Sequence, residues 1–312
     1  MNLIPTYRCN ADCEFCYAKG LQKVFPKDLT QKNFMKFFDW MERQNIKNLG
    51  IYGGEPTVYP HLKELLEECY KRNFLVQILT NALFDKKMFD VFGPTKKLYF
   101  LINYVKPFIK EKERKIFERN LMEFSKRNIK FSFRYNITFQ NMPVNEMIND
   151  MVKYNVKRLL VGVVNPGYSK NLFIPINKIA QLNSYIIELT KACLKNNIEI
   201  KLARPLPLCT FTPAQRKFLT RNMFLRGLCF LCNRNVIRYN KIFVANPDLS
   251  VFPCQNLFIK GPSVLSFKNI SEINKYFFGK VNDLRKRPAM RKCLSCDFYL
   301  KNMCQGGCLS YK

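Results

Sequence analysis

Met1-Asn2-Leu3-Ile4-Pro5-Thr6-Tyr7-Arg8-Cys9-Asn10-Ala11-Asp12-Cys13-Glu14-Phe15-Cys16-Tyr17 is a short apolar run that ends in a Cys-x3-Cys-x2-Cys loop followed by an aromatic residue. The run reads as a first strand, with the loop leaving its C-terminal end. Three thiolates packed this closely can grip one compact metal centre. Four cysteines usually saturate an iron–sulfur cluster; three leave one iron open to a ligand that is not protein. A disulfide framework fits poorly, because three is odd and no export signal precedes the loop. A zinc knuckle asks for a nearby fourth Cys or His, and the chain's single histidine, His61, lies far along.

Downstream of the loop, strands and helices alternate. Thr30 is placed to cap a helix whose Phe34, Phe37, Phe38 and Met41 recur at helical spacing. Strands are expected over residues 49–52, 74–79, 98–104, 130–138, 158–164 and 198–202. Between them, Leu62, Leu65, Leu66 and Cys69 share a helix face, the charged stretch 110–115 leads into a helix, and 145–154 is helical. Residues 175–196 read as one long helix with Ile179, Leu182, Ile186, Leu189 and Cys193 inward. This alternation predicts an α/β chain with a parallel sheet, six or so βα units closing partly into a (β/α)6 TIM-like barrel. Chemistry on such a barrel belongs at the C-terminal strand ends. The cysteine loop and Gly53-Gly54-Glu55-Pro56 both fall there. Pro205-Leu206-Pro207 breaks the pattern, so the barrel is assigned to residues 1–202 and a small cysteine-rich domain to 203–312.

The 312 residues are 47% hydrophobic, enough for a packed core, and contain no apolar run long enough to span a membrane. Thirteen cysteines without an export signal point to metal or redox chemistry in a reducing, cytoplasmic setting. The formal net charge of +29 implies an acidic partner, unless it is compositional drift in a lysine-rich chain. No common nucleic-acid motif is present.

A second cysteine field comprises Cys209, Cys229, Cys232, Cys254, Cys293, Cys296, Cys304 and Cys308. Eight thiolates equal two four-cysteine sites, and ligand type alone leaves iron–sulfur and zinc equally open. Arg285, Lys286, Arg287, Arg291 and Lys292 precede Cys293; cations beside a negatively charged cluster raise its potential. Cys69 and Cys193 fall on apolar helix faces and read as core.

The first loop resembles that of the radical S-adenosylmethionine (SAM) enzymes. The resemblance implies a 4Fe–4S cluster on Cys9, Cys13 and Cys16 whose open iron binds SAM by its amino and carboxylate groups. One electron then yields a 5′-deoxyadenosyl radical. It also implies that Gly53, Gly54 and Glu55 face the methionyl ammonium and that Tyr17 lies near the adenine. Thr80-Asn81-Ala82 resembles the family's Thr-Asn-Gly, making Asn81 a ribose or carboxylate contact. Arg134 is a candidate partner of the methionyl carboxylate.

The C-terminal part resembles the SPASM/Twitch-type auxiliary-cluster domain of the same enzymes. Asp248-Leu249-Ser250-Val251-Phe252-Pro253-Cys254 follows its Asp-Gly-x-Val-x-Pro-Cys element, with Leu249 in place of Gly. Seven residues rather than five separate Cys296 from Cys304, and the family's last cysteine is missing. The resemblance implies one or two auxiliary 4Fe–4S clusters: one on Cys229, Cys232, Cys254 and Cys308, another on Cys293, Cys296 and Cys304 with its fourth position open or filled by Cys209.

The activity so implied is hydrogen abstraction from a peptide or protein substrate, leading to crosslinking, oxidation or epimerisation. A flavodoxin- or ferredoxin-type electron donor is implied as well. Gln255 stands where sulfatase maturases place an Asp base, which argues against that subclass. With the first strand so near residue 1, leader recognition is expected to fall to a separate protein or to the basic surface. Two alternatives are a dehydrogenase of a small-molecule carbinol and a metal-stapled nucleic-acid-binding protein.

Overall fold

The computed structural model describes residues 1–93, 95–140, 143–222 and 243–312. Seven parallel strands follow one another in chain order: β1 (Asn2–Leu3), β2 (Asn48–Ile51), β3 (Leu75–Thr80), β4 (Leu98–Asn103), β5 (Phe131–Ile137), β6 (Arg158–Val163) and β7 (Glu199–Leu202). Helices connect them: α1 (Leu21–Val24) and α2 (Gln31–Arg43), then α3 (Leu62–Lys71), α4 (Met88–Val91), α5 (Glu111–Lys126), α6 (Val144–Lys153) and α7 (Asn183–Lys195). The sheet order runs β7-β6-β5-β4-β3-β2-β1-β8-β9, so β7 does not pair back onto β1 and the barrel stays open. The expected α/β partial barrel is thus observed.

Side chains alternate along each strand. Ile51, Ile78, Phe100, Ile102, Phe133, Tyr135 and Leu159 point outward and are essentially inaccessible to solvent. They meet helix faces such as that of α2, where Phe34, Phe37, Phe38, Trp40 and Met41 are buried. Each such side chain contributes about 1.5–3 kcal/mol by leaving water. Thr30 caps α2 as expected, its side chain accepting from Asn33 N. The opposite strand face is different: Tyr52, Gln77, Tyr99 and Arg134 line the bore. A hollow bore that carries polar and cationic side chains among apolar ones is the frame of a site, not of a core.

Two expectations change. The first strand is only two residues long, ending before Pro5, which lacks the N–H a ladder needs. The helix expected over 175–196 is two elements, a 3-10 stretch Ile176–Leu182 followed by α7. Ile176, Ile179 and Leu182 repeat every three residues, the period of the tighter helix.

Part of the chain after β7 joins the barrel sheet. After α8 (Pro213–Asn222), β8 (Val244–Ala245) adds parallel to β1 and extends the barrel sheet, and β9 (Val251–Phe252) pairs antiparallel to β8. Buried bonds tie this part to the barrel: Tyr7 Oη donates to Asn246 Oδ1 at 2.7 Å, and Trp40 Nε1 donates to Phe267 O at 2.7 Å. Helices α9 (Ile270–Lys286) and α10 (Asp297–Leu300) lead to the last cysteines. Among the described residues, no helix is long and apolar enough to cross a membrane.

Candidate active site and cysteine clusters

Nine residues singled out from sequence line one cavity at the C-terminal strand ends: Cys9, Cys13, Cys16, Tyr17, Gly53, Gly54, Glu55, Asn81 and Arg134. The cysteine loop follows β1 and turns back on itself through a bond from Cys16 N to Cys13 O at 3.0 Å. The three sulfurs lie in each other's field. Burial, reinforced by the neighbouring thiols, pushes Cys13 up to about 12; Cys9 is pushed up to about 12 as well, with the Glu55 carboxylate adding to burial. Among the described residues, no fourth Cys and no His lines this cavity.

The two glycines serve the chain itself. Gly54 N donates to Thr6 O at 3.0 Å and Glu55 N to Arg8 O at 2.8 Å, so the loop after β2 is hydrogen-bonded onto the stem of the cysteine loop. A Cβ on Gly53 or Gly54 would overlap the main-chain carbonyls of Thr6 and Arg8. Gly53 also has φ +143, open to glycine and strained for other residues.

Glu55 is 1% exposed and its carboxylate is largely engaged. Oε1 accepts from Thr80 Oγ1 at 2.7 Å, Thr57 Oγ1 at 2.9 Å and Thr57 N at 3.2 Å, while among the described residues Oε2 accepts only from Asn81 N at 2.7 Å. Oε2 therefore keeps a lone pair for one further donor. Burial raises its pKa against the lowering effect of these bonds. Asn81 spends its side chain locally: Nδ2 donates to Asn10 Oδ1 at 2.8 Å and lies 3.9 Å from Cys9 Sγ, and Oδ1 accepts from Leu83 N at 2.8 Å. It holds the cysteine loop to the end of β3.

The Tyr17 hydroxyl is buried and has no hydrogen-bond partner among the described residues. Burial and the Cys16 thiol raise its pKa, opposed by Arg134 and Arg204. A buried phenol left unpartnered beside three thiols is a place for a polar ligand. Together with the single free lone pair on Glu55 and a three-sulfur donor set, it fits an incompletely ligated 4Fe–4S cluster and SAM.

Arg204, which no sequence pattern singled out, lines this cavity too. It follows β7, donating through Nη1 to Val163 O at 3.2 Å and through Nη2 to Asn256 Oδ1 at 3.1 Å. Asn256 N in turn lies 3.5 Å from Cys254 Sγ. The Asn165 amide oxygen accepts from Arg204 Nη1 at 3.0 Å and Nε at 3.1 Å and from Ser310 Oγ at 3.1 Å, and Ser310 Oγ lies 3.2 Å from Cys308 Sγ. These contacts join the barrel chamber to two cysteines of the second field. The only forewarning in the sequence was the position of Arg204 at a C-terminal strand end.

All eleven described cysteines are free; Cys229 and Cys232 lie outside the described residues. Cys209 is brought to Cys293, Cys296 and Cys304, whose thiols, together with burial, raise its pKa against Lys292. Gly306 and Gly307, at φ +81 and +99, allow this: a Cβ on Gly307 would press on Pro207, two residues before Cys209. Lys312 feels Cys293 and Cys304 as well. Gly306 N, 3.3 Å from Cys304 Sγ, and Ser310 Oγ, 3.2 Å from Cys308 Sγ, are donors of the kind that tune cluster ligands. Among the described residues, no three Cys, His, Asp or Glu groups could hold a single metal ion. Cys69 and Cys193 are buried in the core.

Residues 3–139 match the Radical SAM superfamily. The chain carries a radical SAM domain. The cofactors of that family are SAM and a 4Fe–4S cluster, the pair the cavity fits. The chain is 33% identical over 79 residues to the tungsten-containing aldehyde ferredoxin oxidoreductase cofactor-modifying protein of Pyrococcus furiosus, covering 25% of this chain and 22% of that protein. It is 32% identical over 78 residues to the mycofactocin maturase MftC of Mycobacterium ulcerans, covering 25% and 21%. The match thus spans about a fifth of the length of these curated relatives. Streptococcus suis SuiB bound to its precursor peptide SuiA superposes with a TM-score of 0.70 at 18% identity, over 98% of this chain and 71% of SuiB. SuiB bound to SAM gives 0.68 at 16%, over 98% and 72%. The superposition extends the shared fold through the cysteine-rich C-terminal part.

Proposed function

We propose that the protein is a radical SAM enzyme that abstracts hydrogen from a peptide or protein substrate. The gathering of Cys9, Cys13, Cys16, Tyr17, Glu55 and Arg134 in one cavity carries this reading. When bound there, the cluster supplies the electron that splits SAM into methionine and the 5′-deoxyadenosyl radical that takes the hydrogen. Cys9, Cys13 and Cys16 would hold the cluster and leave one iron to the SAM amino acid. Glu55 Oε2 would accept from the methionyl ammonium and Arg134 would pair with its carboxylate. The Tyr17 hydroxyl would meet the adenosyl part. Asn81 positions Cys9, and Gly53 and Gly54 let the two loops meet. The enclosing barrel keeps water and stray hydrogen donors from a reactive intermediate.

Residues 203–312 act as an auxiliary-cluster domain, with Cys209, Cys293, Cys296 and Cys304 on one cluster and Cys254 and Cys308, joined by Cys229 and Cys232, on another. A flavodoxin- or ferredoxin-type protein delivers the electron. Support for a peptide substrate comes from the likeness to SuiB, solved with a precursor peptide, and to the maturase MftC. The test is isotopic. The anaerobically reconstituted protein is given SAM, dithionite and a deuterated candidate peptide, chosen from short reading frames neighbouring its gene. Deuterium appearing in 5′-deoxyadenosine is expected; 5′-deoxyadenosine formed without deuterium, and an unchanged peptide, would overturn the peptide reading.

A further inference from the structure

The bore of the barrel holds a second cavity of about 700 Å³ that runs from the N-terminal strand ends to Arg134 and Arg204, which it shares with the cysteine cavity. Such a volume is ample for part of a peptide. Among the described residues its lining carries six cations, Lys96, Lys97, Lys130, Arg134, Arg158 and Arg204, and no Asp or Glu. Arg158 pairs with Glu199, which lies outside this lining. Lys96, Lys97 and Lys130 have no carboxylate partner among the described residues. They precede β4 and β5 and stand exposed at the N-terminal mouth. Between the two ends the wall is uncharged and mixed, with Asn2, Tyr52, Gln77 and Tyr99 beside Leu101 and Leu160. Cations clustered around a concave, low-dielectric wall focus a positive potential that water and salt screen less than on an open surface. A cavity so lined repels a basic segment and favours an acidic one over a neutral one of the same shape.

We propose that this bore seats a carboxylate-bearing segment of the substrate peptide, gripped at the N-terminal mouth by Lys96, Lys97 and Lys130 and at the inner end by Arg204. This rests on the peptide reading above and adds the substrate's charge class. Arg204 has a second consequence: through Asn256 it touches the surroundings of Cys254. A carboxylate on its guanidinium would therefore sit between the radical chamber and the second cysteine field.

The test uses fluorescence anisotropy with a fluorescein-labelled octapeptide of alternating Glu and Ala, and its Gln-Ala counterpart, on the full-length protein. The wild type is expected to bind the acidic probe at least tenfold more tightly at low salt. Lys96→Gln/Lys97→Gln/Lys130→Gln should abolish most of that preference. Lys32→Gln/Lys36→Gln/Lys275→Gln removes the same charge from outer helix faces that do not line the cavity, and should change it less than twofold. Equal loss in both triples, or no preference for the acidic probe in the wild type, would overturn the proposal. Peptide-free SAM cleavage, measured on the reconstituted proteins, should be the same in the wild type and the first triple. Its absence in the wild type would count against the enzyme reading, not against the binding site.

Discussion

Glu55 Oε2 accepts the Asn81 N–H at 2.7 Å, which hooks the loop after β2 onto the end of β3. The same carboxylate binds Thr57 and Thr80 through Oε1. A Glu55→Gln variant would turn an amide NH2 toward the Asn81 N–H, leaving a buried donor unsatisfied. The expected cost is about 1–3 kcal/mol in urea unfolding of the metal-free protein. Losing the charge opposite the methionyl ammonium should also weaken SAM binding on the order of tenfold. Unchanged stability would mean that the carboxylate is not bonded as described.

The thiols give a pH dependence. Cys9 and Cys13 are both pushed up to about 12 from an ordinary 9.0, first of all by burial. In the metal-free protein the folded state then holds protons that the unfolded chain releases, so folded stability falls as pH rises from about 9 toward 12. Cluster assembly must expel these protons and is favoured by higher pH. Iron incorporation is expected to be faster at pH 8.5 than at pH 6.5, and urea midpoints of the metal-free protein to drop between pH 8.5 and 10.5. A flat response in both would contradict the burial of these thiols.

Cys209 stands with Cys293, Cys296 and Cys304. Cys209→Ala should lower iron in the reconstituted protein by about four atoms per chain, or leave an oxygen-labile cluster. Cys193→Ala, in the core, should leave iron unchanged while costing stability. Full, stable iron in Cys209→Ala would remove it from the ligand set.

Ala82 and Leu249 both adopt left-handed backbone, at φ +57 and +62, and both stand where the related motifs carry glycine. A non-glycine residue there costs about 1–2 kcal/mol. Ala82→Gly exchanges that strain for a buried methyl and extra unfolded-chain entropy, so its stability should stay within about 1 kcal/mol of wild type. Leu249 is 2% exposed, and Leu249→Gly loses more packing than it relieves, a net loss of about 1–3 kcal/mol. Gly54→Ala, by contrast, must displace the Arg8 carbonyl and should cost at least about 1–3 kcal/mol. Thermal or urea unfolding of the three variants decides the order.

The barrel was legible because outward strand residues and helix faces follow periods of two and 3.6, and because the cysteine and glycine loops interrupt them at strand ends. The two-residue β8 was not, since Val244-Ala245 is too short to show a period and is recruited by pairing with β1. For the 3-10 segment Ile176–Leu182, the inward residues fit a helix, but their spacing of three suits the tighter turn. Local motifs carried eight residues of the cavity, because the cysteine, glycine and Thr-Asn elements are each short and contiguous; Arg134 was singled out apart from any motif. Arg204, Asn165 and Asn256 were invisible: each is a lone polar residue whose neighbours are assembled by tertiary packing. The use of Gly53 and Gly54 against Thr6 and Arg8 likewise depends on two loops that meet only in three dimensions.

The central claim is an iron that Cys9, Cys13 and Cys16 leave open to SAM. Its most direct measurement is 5′-deoxyadenosine produced with SAM and dithionite by the anaerobically reconstituted wild type and by Cys13→Ala. Steady product from the wild type and none above background from the variant is expected. Production by Cys13→Ala at the wild-type rate would contradict the account.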